Sequence, residues 1–419
     1  NAEELDRHHA GDGDAWRAML GEFFPKADLA FGVLGTELWS RQGAKLGATA
    51  VRRLGRRGAV EFAGRLLISA RDWLETTFDS ERAHGLLAPW VLHTGLGPDA
   101  AASGYMAQVI AVAVQDGGMP IPVGGGQKLA DALVSLIRAN GGTCETGVHV
   151  ECVHTGGVRT ADGRTIGATQ AVICNVTPTQ LYGRLLEGQA ERAKGFRYGR
   201  SEMQIHYALS EPPRWDGDAR LAETAIVHVT PGLDGVSRAV NEAERGLLPA
   251  EATVVVGQPL TMDVSRAPVG QGLLWVQLQE LPWRIKGDAA GELDVGDGTW
   301  TDDLRERYAD RIQERIARHI PNLESSTLGR TVLSPADLEA ANINLQRGDP
   351  YGGSLALDQN FLWRPLPSLP GHRTPVPGVW HVGASTHPGP GLGGGSGTLV
   401  AQQLLAPTLV TRAKRLVRR

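Results

Sequence analysis

The run Val379-Trp380-His381-Val382-Gly383-Ala384-Ser385-Thr386-His387-Pro388-Gly389, continued by Pro390-Gly391-Leu392-Gly393-Gly394-Gly395-Ser396-Gly397, holds the densest set of residues suited to chemistry. A short apolar run ends in a glycine loop, and helical spacing resumes from Gly397 to Leu405 with Ser396 as the expected N-cap. Residues without Cβ let the backbone approach a flat or phosphate-bearing ligand, and a helix start offers unpaired N–H groups with partial positive charge. His387 is the one titratable side chain between Gly383 and Gly397. Histidine titrates near neutrality and suits proton transfer, while the competing role is to shape a turn between Thr386 and Pro388.

The letters from Gly389 to Gly394 satisfy G-x-G-x-x-G, but a dinucleotide fingerprint also needs an acidic residue about 20 positions on. No Asp or Glu follows Asp358, so the ordinary NAD reading is set aside. The glycines Gly124 to Gly126 follow a Pro-interrupted segment and read as a turn before a helix. Gln204 and His206 share the polar side of an alternating strand and are candidates to line a substrate cavity, against the alternative of a solvent-facing edge. His8-His9 reads as an exposed helix end, and no H-E-x-x-H, calcium loop or Cys/His cluster has ligand spacing, so no metal is expected. Ser354 and Ser396 both lack a complete G-x-S-x-G elbow. Cys144, Cys152 and Cys174 form no C-x-x-C and read as reduced, buried packing residues.

These residues need elements to position them. From Glu3 to about Ala113 the pattern is helical and broken by loops, with Trp16, Met19, Leu20, Phe23 and Phe24 on one expected apolar face. Leu129, Leu133, Leu136 and Ile137 then mark an amphipathic helix ended by Gly141-Gly142. Three β-rich runs, 148–154, 158–160 and 165–174, separated by glycine turns, predict an antiparallel meander. From Ser201 the alternation of Met203, Ile205, Tyr207 and Leu209 against Gln204, His206 and Ala208 predicts a sheet with one wet or ligand-facing side, continued at 227–229, 254–256 and 273–278. Thr301, followed by Asp302 and Asp303, caps a helix striped by Leu304, Tyr308, Ile312 and Ile316.

A chain of 419 residues exceeds what one ordinary core supports, which predicts two lobes or one large α/β domain with an insertion. Lys and Arg total 42 against 46 Asp and Glu, a formal charge of −4 that supplies no field for holding nucleic acid. No apolar run reaches the roughly 18 residues of a membrane span and no basic leader precedes a cleavage site, which reads as a cytoplasmic protein. The basic run Arg52, Arg53, Arg56, Arg57 and the tail Arg412, Lys414, Arg415, Arg418, Arg419 read first as solvated, with peripheral contact to a membrane as the alternative. Nothing in the sequence speaks to oligomeric state.

Three ordered motifs carry a resemblance: Val123 to Leu133 (VGGGQKLADAL), Ala171 to Pro178 (AVICNVTP) and Val382 to Gly389 (VGASTHPG). Together they resemble the phytoene desaturase-related FAD-dependent oxidoreductases, most of all the bacterial branch described as phytoene dehydrogenase-related. The resemblance implies an α/β (α+β) flavoprotein with a Rossmann-like FAD lobe, a β-meander, an antiparallel substrate-domain sheet and a helical cap. It implies FAD as cofactor, a small apolar or polyene-like substrate, and hydride transfer to flavin N5. By the same resemblance Gly383, Ala384, Thr386, His387, Gly391, Leu392, Gly393 and Gly394 lie beside the isoalloxazine and Val150 meets the adenine, while Asn175 and Thr177 fall in the crossover from the meander, Asn175 being a further cofactor-binding candidate. The expected division is 1–118 for cap and substrate-lobe helices, 119–185 for the FAD-lobe helix and meander, and 186–330 for the substrate sheet. A connecting region at 331–374, the C-terminal FAD-lobe segment at 375–408 and the tail at 409–419 complete it.

The family also begins with a strand, glycine loop and helix that grip the ADP half of FAD, and no such segment precedes the first residue. The expectation is an N-terminally truncated FAD lobe short by on the order of 100 residues, weak FAD binding and an inactive fragment. The alternatives are a non-catalytic lipid- or partner-binding protein and a flavin-dependent polyene isomerase.

Overall fold

The computed structural model describes residues 2–391 and 393–406. Leu392 and the basic tail, both singled out from sequence, lie outside the described residues. Helices come first: α1 (Ala2–His8), α2 (Asp12–Phe23), α3 (Ala27–Gly35), α4 (Arg41–Leu66), α5 (Ala70–Thr77), α6 (Glu81–Leu92), α7 (Ser103–Gly117) and α8 (Gly126–Ala139). Strands β1 (Val150–His154), β2 (Gly157–Thr160), β3 (Thr165–Gly167), β4 (Val172–Asn175), β5 (Ser201–Leu209) and β6 (Ile226–Val229) follow. After α9 (Gly232–Glu244) come β7 (Val254–Gly257), β8 (Gly272–Leu281), α10 (Asp302–Ala317), β9 (Thr327–Leu333), β10 (Val379–Val382) and α11 (Gly395–Leu405). The chain divides into two compact units of mixed helix and sheet. One holds the described residues up to Phe23 with 61–147 and 198–350, the other 24–60, 148–197 and the described residues from Tyr351 on.

The first unit is organised by an antiparallel sheet in the order β9-β5-β8-β7-β6. Period-two alternation on β5 sends Met203, Ile205, Tyr207 and Leu209 to one face, where all are buried. They pack with Val254, Val256, Leu274 and Val276 against Leu304, Tyr308, Ile312 and Ile316 of α10. Thr301 caps that helix as expected, its Oγ1 accepting from the Leu304 amide at 3.2 Å. Each fully buried aliphatic side chain contributes roughly 1.5–3 kcal/mol, so this cluster is the main source of the unit's stability. Truncation of Ile205 to Ala, at about 2–5 kcal/mol, attacks its centre.

Three helical expectations need adjustment. Trp16, Met19 and Phe23 are buried on α2, but Phe24 lies beyond that helix and is exposed. α4 is interrupted at Gly55, where φ is 73°, a value that Gly adopts without steric cost. α8 ends before Gly141-Gly142 as predicted, yet buries no residue: Leu129, Leu133, Leu136 and Ile137 are all exposed.

In the second unit β1, β2 and β3 form the antiparallel meander. The third β-rich run, expected as one strand from Thr165 to Cys174, is two. Its first part closes the meander at Gly167, and its second, β4, leaves to pair in parallel with β10, about two hundred positions on. Alternation within a short apolar run does not reveal which partner each half takes. The cysteines are all free, but only Cys174 is buried, with Cys144 and Cys152 intermediate, because the latter two lie on partly exposed segments.

Candidate functional site

The glycine loop springs from a strand buried along its whole length. β10 pairs with β4 so that Val382 lies beside Asn175. At the strand's exit Gly383 takes φ 105°, and a Cβ there would overlap Asn175 Oδ1, so both conformation and contact demand glycine. The Gly383 amide donates to Ser396 Oγ at 2.9 Å. Its carbonyl accepts from the Thr386 amide at 3.1 Å and from Thr386 Oγ1 at 3.0 Å, and the Gly389 amide donates to the Thr386 carbonyl at 2.7 Å.

Ser396 is therefore not the N-cap that sequence suggests. α11 starts at Gly395, its N-cap is Gly394 at φ 63°, and no side chain caps it. The Ser396 hydroxyl faces back to Gly383 because the loop returns to its own neck. The first helical bond runs from the Thr398 amide to the Gly394 carbonyl at 3.0 Å, leaving the amides of the first turn for an external acceptor. A Cβ on Gly391, Gly393 or Gly394 would meet no atom within 4 Å, so this side of the loop offers bare backbone to open space.

Two buried side chains hold the loop from behind. Arg364 is fully buried and donates to the Ala384 carbonyl twice, at 3.1 and 2.6 Å, to the Ser354 carbonyl at 3.2 Å and to the Tyr351 carbonyl at 3.0 Å. His372, also buried, donates through Nε2 to the His387 carbonyl at 2.9 Å, while its Nδ1 lies 2.8 Å from Glu37 Oε2. Burial alone raises the Glu37 carboxyl, but the hydrogen bond and charge of His372 outweigh it and the net shift is downward. Ser385 Oγ donates to the Gly352 carbonyl at 2.6 Å.

His387 is buried, and its ring nitrogens close no well-formed hydrogen bond, with the Thr36 backbone as a polar neighbour. Burial pulls its pKa down to about 4, against a weaker upward pull from Glu37, so the ring is neutral at pH 7. A buried neutral imidazole so weakly engaged pays a desolvation cost that a hydrogen-bonding ligand would relieve. His381 on β10 is fully buried too, but its Nε2 is satisfied by the Val176 carbonyl at 2.7 Å.

The first unit presents a second polar constellation on the sheet face opposite its core. Glu202 is buried and its Oε1 accepts from Gln204 Nε2 at 2.8 Å and Gln277 Nε2 at 2.6 Å. Burial raises its carboxyl pKa, and the two amides offset this only in part. Nearby in the same unit, His93 Nε2 and His228 Nε2 lie 3.0 Å apart, with Trp90 ring contacts to both. Burial pulls these imidazoles down to about 4 and about 3, so both are neutral at pH 7. Gln279 Nε2 lies 3.4 Å from His93 Nδ1, and the two neutral imidazoles share one proton between their Nε2 atoms. His206 is half-buried and its pKa is lowered by that burial.

No family model matches the chain. Over 350 residues it is 26% identical to the zeta-carotene-forming phytoene desaturase of Myxococcus xanthus, an alignment covering 80% of this chain and 61% of that protein. The chain is related to the phytoene desaturases. A shorter match, 29% identity over 160 residues, joins 38% of the chain to 26% of rat pyridine nucleotide-disulfide oxidoreductase domain-containing protein 2. The chain thus spans about a quarter of that relative's length and about three fifths of the Myxococcus desaturase's. An oxidoreductase from Methanosarcina mazei superimposes with a TM-score of 0.49 at 15% identity, covering 90% of this chain and 74% of that one.

In the chain, Gly383, Ala384, Thr386, His387 and Asn175 gather at the neck of one loop, and Gly391, Gly393 and Gly394 form its open side. Val150 stands apart, half-buried on β1 opposite Thr160. Gln204 and His206 do share the polar face of β5, but the Gln204 amide is engaged by Glu202. Sequence reading passed over Arg364, Glu202, His93 and His228. A single cation inside Phe361-Leu362-Trp363-Arg364-Pro365-Leu366 was the available signal for the first. His93 and His228 come from different elements and carry no local signal. His9, Asp12 and Asp79 bring ligand atoms within 4.8 Å of one another, a grouping that the sequence did not suggest. Asp12 Oδ1 there accepts from the Asp79 amide at 2.9 Å, which gives the group a role in holding the start of α2. None of the described helices is long and apolar enough to cross a membrane.

Proposed function

We propose that the chain belongs to an FAD-dependent oxidoreductase that removes hydride from an apolar, polyene-like small molecule. The relationship to a phytoene desaturase supports the reaction class. The observation that carries the reading is the open face of the glycine loop: bare backbone at Gly391, Gly393 and Gly394 leading into an uncapped helix start. That geometry fits an isoalloxazine edge, which is flat and gathers negative charge at N1 and the C2 carbonyl when N5 accepts hydride.

The chain's own residues would do three things there. First-turn amides of α11 neutralise negative charge at the ring edge through fixed dipoles. Arg364 and His372 hold the loop in place from the protein side. His387, neutral and weakly engaged by the Thr36 backbone, offers a donor or acceptor without adding charge. Dithiol chemistry has no support in this chain, since Cys144, Cys152 and Cys174 form no C-x-x-C and burial pushes the Cys174 thiol up to about 11.

Gly393→Leu tests the reading. The side chain enters open space, so the thermal midpoint should stay within about 2 °C of wild type while quenching of FAD fluorescence by the protein falls at least tenfold in affinity. Equal FAD affinity in wild type and variant removes the loop from the cofactor site.

A further inference from the structure

Among the helices of the first unit lies a cavity of about 420 Å³ that the flavin reading does not use. Its walls are the indoles of Trp16, Trp73 and Trp90, with aliphatic side chains such as Leu87 and Ile110. Ala107 and Ala111, four apart on α7, keep the space from being filled. This volume falls within the roughly 300–1,000 Å³ typical of pockets that take small molecules, and an apolar lining with few polar groups is their usual makeup.

The polar groups at the cavity are unequal in what they have left to give. Glu4 already accepts from Arg7 at 2.7 Å and from Arg220 at 3.1 Å. Arg82 donates to His8 Nδ1 at 2.8 Å. A guanidinium only donates, so that ring nitrogen carries no proton and offers Arg82 no negative charge. Among the described residues no carboxylate lies within ion-pair distance of Arg82, which is exposed at the start of α6. The cavity therefore joins an aromatic-walled apolar interior to a cation with no direct carboxylate partner; the Glu4 carboxylate stands beyond the His8 ring, 3.8 Å from its Nε2, and is itself paired with Arg7 and Arg220.

We infer that this cavity binds an amphiphilic carboxylate, with its apolar tail among the three indoles and its carboxylate on Arg82. The inference stands on the cavity alone and holds whether or not the chain binds a flavin. A guanidinium–carboxylate contact is a charge-assisted hydrogen bond, stronger than a neutral one, so the acid should be selected over the matching alcohol.

Isothermal titration of the 419-residue chain with decanoate, decanol and decylamine, each kept monomeric, reads this directly. Decanoate should bind at one site at least tenfold more tightly than decanol, with decylamine weakest. Arg82→Gln, an exposed change that spares the fold, should bring decanoate down to decanol. Ala111→Phe should weaken both, with far-UV circular dichroism confirming that the variant is folded. Absence of saturable decanoate binding, equal affinity for acid and alcohol in the wild type, or a preference for the acid that survives Arg82→Gln would each overturn the inference.

Discussion

The Gly383 amide donates to the Ser396 hydroxyl at 2.9 Å, and this bond closes the neck of the glycine loop between β10 and α11. Ser396 is nearly buried, so its replacement leaves the amide short of a partner. Ser396→Ala should lower the unfolding free energy by about 1–2 kcal/mol in urea titration, and Ser396→Thr should recover most of it. Indistinguishable midpoints for wild type and Ser396→Ala would show that the bond is dispensable.

Gly383→Ala combines two penalties, an unfavourable positive φ and an overlap with Asn175 Oδ1. It should destabilise by more than about 2 kcal/mol. Pairing it with Asn175→Ala relieves the overlap but not the backbone strain, so the double variant should regain part of the loss. Full additivity of the two changes in a double-mutant cycle would deny the contact.

Arg364 satisfies three carbonyls from full burial, and no other side chain has its forked geometry. Arg364→Lys keeps the charge yet cannot span Ala384, Ser354 and Tyr351 together. A loss of about 3 kcal/mol or more is expected, with earlier proteolytic cleavage between 383 and 394 than in wild type. Wild-type behaviour of the lysine variant would mean that charge alone suffices.

Glu280 sets a pH dependence of definite sign. Burial raises its carboxyl to about 7 from an ordinary 4.5, the Thr253 hydrogen bond opposing only weakly. Between these values the folded chain binds more protons than the unfolded one, so stability from this group falls as pH rises from about 4.5 to 7 and then levels off. Glu280→Gln should therefore gain roughly 2–3 kcal/mol more over wild type at pH 8 than at pH 4.5. Chemical denaturation at the two pH values measures this, and a pH-independent difference would contradict it. The buried His93, His228, His381 and His387, all pulled down to about 4 or below, act in the opposite sense. Their contribution is present above about 6.5 and is lost on acidification, and it cancels in the comparison.

What the sequence made legible was local. Alternation from Met203 to Leu209 announced a strand with a buried face, Thr301 announced its helix, and the glycines after Val382 announced a backbone site. What stayed hidden depends on distant partners. β4 could not be told from the meander because its partner β10 lies near the other end of the chain. Ser396 looked like a cap until the loop's return placed Gly383 within reach of its hydroxyl. Arg364, and the meeting of His93 with His228, arise from tertiary packing that no spacing rule encodes.

The central claim is that a flavin ring lies against the open side of the glycine loop. Amide NMR of the chain during titration with FAD tests it most directly, by following the resonances of Gly393 to Gly397. The account predicts saturable shifts in these amides, larger than those on α10 in the core of the first unit, and their loss in Gly393→Leu. Saturation elsewhere in the protein with these five amides unmoved, or no saturable shift at any amide, would contradict it.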